Sequence, residues 1–176
     1  AAIMEANALK TPAVIIIPAG TYKLTRTDSV DEQGGDLDIQ SNVTLKGAGA
    51  GQTVLDGNGA DRVLQIYQGT TVSVEGVTIQ NGKASYGGGI YNDGTLTLTG
   101  STVSGNTANY GGGIYIYDDG NLTLTNSTVS GNTANYSGGG IDNESGGTLT
   151  LTGSTVSGNT AKGGGGIYNY NGTLTL

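Results

Sequence analysis

Three passages of this chain nearly copy one another. From Tyr86 it reads YGGGIYNDGTLTLTGSTVSGNTAN, from Tyr110 YGGGIYIYDDGNLTLTNSTVSGNTAN, and from Tyr136 YSGGGIDNESGGTLTLTGSTVSGNTAK. A fourth copy, GGGGIYNYNGTLTL, begins at Gly163. The period is about 24 to 27 residues, the range of solenoid repeats. Such a repeat must stack on itself, because one unit alone cannot bury its apolar face. Length differences fall at Asp118-Asp119 and Glu144-Ser145-Gly146, which marks a loop on one face.

Periodicity within a unit is that of strands. Thr95-Leu96-Thr97-Leu98-Thr99 alternates polar and apolar, and nothing from Tyr86 onward has the three-and-four spacing of a helix. A second short run holds Val103, Val129 and Val156, and a third holds Ile90, Ile114, Ile141 and Ile167. Gly and Asn lie between the runs, where the chain must bend. Three strands per unit with a bend after each describe one coil of a right-handed parallel β-helix. The expected fold is all-β, with about six to seven coils. Equivalent residues then stack as inward ladders. These are Ile90/Ile114/Ile141/Ile167, Leu96/Leu122/Leu149/Leu174, Leu98/Leu124/Leu151/Leu176 and Val103/Val129/Val156.

Composition fits a scaffold. Glycine makes up 34 of 176 residues. Without a period this would suggest disorder, and without a strict Gly-X-Y register it is not collagen. There is no His and no Cys. That excludes a Ser-His-Asp triad, a Cys-His pair, a conventional zinc site and disulfides. A net charge of −7 argues against nucleic acid and anionic membranes as partners. No membrane insertion is expected.

Residues 1–10 read as a helix capping the first coil, with Ile3, Met4 and Leu9 as its apolar positions. Residues 11–85 read as irregular coils, and 86–176 as regular ones. The last unit stops at Leu176, part-way through a coil. That suggests either a fragment or end-to-end stacking with a second copy into a filament.

The order AAIMEANA, VIII, PAGTYKLT, SNVTLKGAGAGQTVLDGNG, VSVEGVTIQNG resembles the start of bacterial secreted β-helix proteins of the CSLREA-domain type. That family's name motif is missing or vestigial here, falling before Ala1 or over Ala1–Asn7. The later GGGIYN and TVSGN units resemble the GGAI and FxxN repeats of polymorphic outer-membrane-protein adhesins, with Val in place of Phe. The resemblance implies a secreted or cell-surface β-helix. It does not fix the activity, since the same superfold also hosts pectate lyases and inert stalks.

Candidate sites follow. Asp56 and Asp61 near Arg62, and Asp36 and Asp38 near Asp31 and Glu32, are the carboxylates available for glycan cleavage. Turn chemistry explains Asp56-Gly57-Asn58-Gly59 equally well. Asp56, Asn58 and Asp61, or Asp118 and Asp119, offer oxygen ligands to calcium but lack an EF-hand pattern. Asn106, Asn132 and Asn159, with Asn81 as a precursor, suggest an amide ladder. Outward Thr95/Thr97/Thr99, Thr123/Thr125, Thr148/Thr150/Thr152 and Thr173/Thr175 would form flat rows. The rows suit ice binding, with Thr97, Thr123 and Thr150 central, or reflect β-propensity alone. Tyr86, Tyr91, Tyr110, Tyr115, Tyr117, Tyr136, Tyr168 and Tyr170 gather near the Gly bends. Tyr91, Tyr115 and Tyr168 are the named contact candidates, for sugar or protein, against a role in covering the thin wall. N-x-[ST] sequons at Asn42, Asn121, Asn126, Asn135, Asn143 and Asn171 arise by chance in such a repeat.

The leading expectation is a non-enzymatic extracellular structural or adhesive rod, with no cofactor, whose partner is a cell-surface protein, a glycan or a second copy. The alternatives are a polysaccharide lyase, hydrolase or glycan binder, and an ice binder.

Overall fold

A computed structural model describes residues 2–25 and 35–176. The chain winds through three parallel sheets. The first, the leucine sheet, contains Ala13–Ile16, Val43–Lys46, Thr71–Glu75, Thr95–Thr99, Asn121–Thr125, Thr148–Thr152 and Thr173–Thr175. The second, the valine sheet, contains Gly20–Lys23, Thr53–Asp56, Thr78–Gln80, Thr102–Ser104, Thr128–Ser130 and Thr155–Ser157. The third, the isoleucine sheet, contains Leu37–Ile39, Leu64–Ile66, Ile90–Asn92, Ile114–Ile116, Ile141–Asn143 and Ile167–Asn169. One strand from each sheet makes a coil, so the described residues form six coils and one further strand.

Each strand pairs with its equivalent in the next coil. Leu96, Leu122, Leu149 and Leu174 stand in one column, and Leu98, Leu124 and Leu151 in another. Val103, Val129 and Val156 form a third, and Ile90, Ile114, Ile141 and Ile167 a fourth. These columns meet along the axis as one continuous core. Leu176, which follows the Thr175 paired with Thr150, is exposed. Two early strands had no clear sequence signal, Gly20–Lys23 and Leu37–Ile39. The first follows Pro18 and begins at Gly20, residues typical of turns. Its residues are all exposed, so no alternation of burial marks it.

Polar ladders run up all three corners. Between the leucine and valine sheets, the Ser127 hydroxyl accepts from the Ser101 N–H at 3.2 Å, and Ser154 accepts from Ser127 N–H at 3.1 Å. Between the valine and isoleucine sheets, Asn132 Oδ1 accepts from both the backbone N–H and Nδ2 of Asn106, each at 3.0 Å. Asn132 Nδ2 in turn donates to Val103 O and to Asn159 Oδ1. Asn81 does not belong to this ladder. The Gln80–Ser104 pairing sets it beside Gly105, and the Gly82 N–H meets Asn106 Oδ1 instead. Asn81 and Gly105 both need a left-handed backbone, at φ 54° and 65°. The third corner holds Asn92, Asn143 and Asn169, with Ile116 breaking the polar column between Asn92 and Asn143. Asn143 Nδ2 donates to Asn169 Oδ1 and to the carbonyls of Gly147 and Thr173.

The glycine run Gly87–Gly89 and its copies let coils pass closely. A Cβ on Gly112 would lie 2.5 Å from the carbonyl oxygens of both Gly139 and Thr133. At the amino end, Ala2–Leu9 is a helix against the first coil. Ile3 and Ala6, three apart on one face, meet the core, while Met4 and Leu9 stay exposed, contrary to expectation. Asn7 fastens the helix, donating to Asp38 O and accepting from the Gln40 N–H. No helix among the described residues is long and apolar enough to cross a membrane.

Two substitutions test these constraints. Asn132→Ala leaves the buried Asn106 N–H without its acceptor and should cost about 2–5 kcal/mol in urea unfolding. Gly112→Ala should fail to give a cooperative transition, because backbone atoms on two coils must move.

Candidate functional site

The corner between the valine and isoleucine sheets carries more than a bend. Thr107–Tyr110 and Thr133–Ser137 form a short two-stranded sheet there. Ala108 and Ala134 turn inward and are buried. Their neighbours therefore face out, as alternation requires. One outward row is Lys83, Thr107, Thr133 and Thr160, paired coil to coil. Ser85, Asn109 and Asn135 form a second row, in which Asn135 Nδ2 donates to Asn109 Oδ1 at 2.7 Å. Lys83 and Thr107 of the first row and the whole second row line an open trough of about 450 Å³ running across several coils, with Gly59 and Ala60 at its early end. That volume lies within the range of ligand sites, although the trough is shallow and polar.

A tyrosine follows each residue of the second row. Tyr86 and Tyr110 stack with centroids 5.3 Å apart, and Tyr110 and Tyr136 at 5.1 Å. Tyr91 and Tyr115 stack at 5.6 Å on the isoleucine sheet, and Tyr86 meets Tyr115 edge-on. Cations occupy the terminal ring faces: Arg62 lies 5.0 Å from the Tyr91 centroid and Lys162 5.4 Å from that of Tyr136. Most ring faces are thus already used, and the wall offers edges and hydroxyls. Tyr86 and Tyr136 remain 43% and 50% exposed. Tyr115 is buried, and Tyr168 is separated from it by Asp142 in the same row.

That interruption is a paired replacement. Tyr86 with Tyr91, and Tyr110 with Tyr115, become Ser137 with Asp142 one coil later. The Ser137 hydroxyl donates to Asp142 Oδ2 at 2.5 Å, while buried Asp142 Oδ1 has no hydrogen-bond partner. Burial, with Glu144 adding to it, pushes the Asp142 carboxyl up to about 6 against the Ser137 hydrogen bond. A second buried acid sits at the early end of the isoleucine sheet. Asp36 is 2% exposed by its side chain and binds Arg62 Nη1 at 3.2 Å through Oδ2. Its Oδ1 has no hydrogen-bond partner among the described residues. Burial outweighs Arg62, and with Asp38 and Asp61 it lifts Asp36 to about 7. Arg62 is held further by Tyr86 O and Gln65 Oε1.

The family model for right-handed β-helix regions matches residues 29–175. The chain belongs to the right-handed β-helix family. No curated protein and no solved structure matches it.

Within this β-helix the other sequence candidates lie as follows. Asp56 serves its turn: Oδ1 accepts from Asn58 N–H, and Oδ2 from Gln80 Nε2 and Asn81 Nδ2. Burial works against ionisation there, but these donors prevail and hold its carboxyl below the ordinary value. Asp61 accepts from the Arg62 backbone, not its guanidinium, which reaches Asp36 instead. Asp31 and Glu32 lie outside the described residues. Among the described residues no group of three or more His, Cys, Asp or Glu is placed to hold a metal ion. Asp119, with Asp93, lines a smaller groove of about 200 Å³ at the isoleucine–leucine corner. Thr97, Thr123, Thr150 and Thr175 stand in one outward column on the leucine sheet, continued by Ser73 and Thr44. Sequence reasoning missed the Ser137–Asp142 pair, whose signal was Asp in a Tyr position after a one-residue insertion. It also missed the Asn109–Asn135 row.

Stability should follow the two raised carboxyls. Each holds a proton in the folded chain at pH values where the unfolded chain has released it. Their contribution therefore falls as pH rises from the ordinary 3.8 through about 6 for Asp142 and about 7 for Asp36. Asp56 acts oppositely below 3.8, so these groups together should place the peak of the melting midpoint near the ordinary carboxyl value of 3.8. Asp142→Asn should flatten the descent between 3.8 and about 6, as read by calorimetry across pH.

Proposed function

We propose that this β-helix is a non-enzymatic extracellular rod that holds an extended glycan along the trough beside the tyrosine wall. The observation that carries this reading is the trough itself. It runs along the axis over repeated coils, so successive sugars meet similar groups at each coil rise of about 4.8 Å. Amides suit hydroxyl-rich ligands because each offers donors and an acceptor. The Asn109–Asn135 bond leaves the Asn109 amide N–H groups and the Asn135 carbonyl for solvent or ligand. Exposed edges of Tyr86 and Tyr136 add apolar contact. Individual contacts are weak, and affinity arises from several coils acting on one chain.

Affinity electrophoresis against a polysaccharide panel tests it. The parent chain should be retarded by at least one glycan. Asn109→Ala with Asn135→Ala should weaken that retardation by roughly tenfold, about 1.4 kcal/mol, with a melting midpoint close to the parent. Retardation unchanged in the double variant would remove the trough as the contact.

One observation favours a second reading, glycan cleavage. Asp36 carries a proton near neutrality, has a free oxygen and sits against Arg62, as a general acid requires. Release of reducing ends by the parent and its loss in Asp36→Asn would establish this reading. No release from any retarding glycan would end it.

A further inference from the structure

We infer that the glycan held by the trough is anionic, with its carboxylate or sulfate groups seated on Lys83 and Lys162. The inference rests on the glycan reading and adds the ligand's charge. Beyond Lys46 the chain has only three cationic side chains, Arg62, Lys83 and Lys162, although its net charge is −7. All three lie at the same corner. Lys83 lines the trough, Lys162 covers the Tyr136 ring, and Arg62 binds the backbone of Tyr86 and covers Tyr91.

Their situations differ. Arg62 is engaged by Asp36, Gln65 and the Tyr86 carbonyl. Lys83 and Lys162 are exposed and have no ion-pair partner among the described residues. They stand three coils apart, roughly 14 Å by coil rise, with the Asn109–Asn135 row between. Lys83 thus lines this polar floor and Lys162 stands one coil beyond Asn135, a span of suitable length for a few sugars.

Carboxylates of the same coils collect at the next corner. Asp93, Asp118, Asp119 and Glu144 lie on the turns leading to the leucine sheet. Asp93 is raised by burial and then by Asp118 and Asp119, so these groups repel one another without a cation to relieve them. Charge is therefore uneven across the isoleucine sheet: Lys83 and Lys162 stand on the trough side, with Asp56 and Asp61 only at its early end, and the carboxylates of the later coils crowd the other side. An anionic chain is drawn to one corner and turned away from the other. The amide floor favours a glycan over other polyanions, because charge alone makes no use of it.

The test uses the full chain in isothermal titration with four probes of similar length: a polyuronate, a sulfated dextran, neutral dextran and poly-aspartate. The polyuronate, the sulfated dextran or both should bind at least tenfold more tightly than neutral dextran and poly-aspartate, and the two anionic arms identify the preferred group. Lys83→Gln with Lys162→Gln should lower that affinity about tenfold and flatten its salt dependence, while Asp93→Asn with Asp119→Asn should not lower it. Equal binding of neutral dextran, or lysine variants with parental affinity, overturns the inference while the glycan reading stands. Equal binding of poly-aspartate also overturns it, since charge alone would then suffice. If none of the glycans binds, including the neutral one, both fail.

Discussion

Everything in this molecule depends on backbone hydrogen bonds directed along its axis. Each strand bonds to its own copy in the coils before and after, so every side chain rests on its equivalent. Like-on-like stacking then decides which residues are tolerable. Leu, Val and Ile columns fill the interior without shape mismatch. Amides and hydroxyls can also be buried, because each finds its donor or acceptor one coil away. The Asn106–Asn132–Asn159 ladder satisfies groups that would otherwise cost several kcal/mol in such a dry interior.

The same constraint explains where charge goes. A stacked column of ionised carboxylates would place like charges one coil apart. The core avoids this by using neutral amides, and charged groups are confined to corners and outer rows. Asp36 and Asp142 are nonetheless buried, Asp142 between tyrosines rather than acids in its row, and burial shifts both toward the protonated form. Asp142 replaces a tyrosine in a row that otherwise stacks rings, and Ser137 supplies the hydrogen bond that makes the exchange tolerable.

How much of this could be read from the sequence depends on repetition. The regular coils were legible because Leu96, Val103 and Ile90 recur in phase, and burial on one face leaves period two in the residues. Leu37–Ile39 was not legible, since three residues beside an irregular stretch carry no usable period. Thr107–Tyr110 was missed for another reason: its pairing is purely axial, and its small Ala108 does not announce an inward position. The site was less legible still. Asn109 and Tyr110 were visible as residues, but their use as floor and wall follows from a corner geometry that no local pattern encodes. Arg62 illustrates the limit. Its sequence neighbour Asp61 is engaged by its backbone, while its ion-pair partner Asp36 lies 26 residues earlier.

Insertions at Asp118-Asp119 and Glu144-Ser145-Gly146 lengthen two turns without disturbing the pairing on either side. Contour length and axial rise are therefore uncoupled in this fold. A gene that duplicates one unit adds a fixed step to the rod, together with another stretch of floor and wall already in alignment. Binding reach can thus grow by copying alone, while the turns at the far corner diverge freely. Such a molecule is a ruler whose graduations are inherited and whose edge can be rewritten.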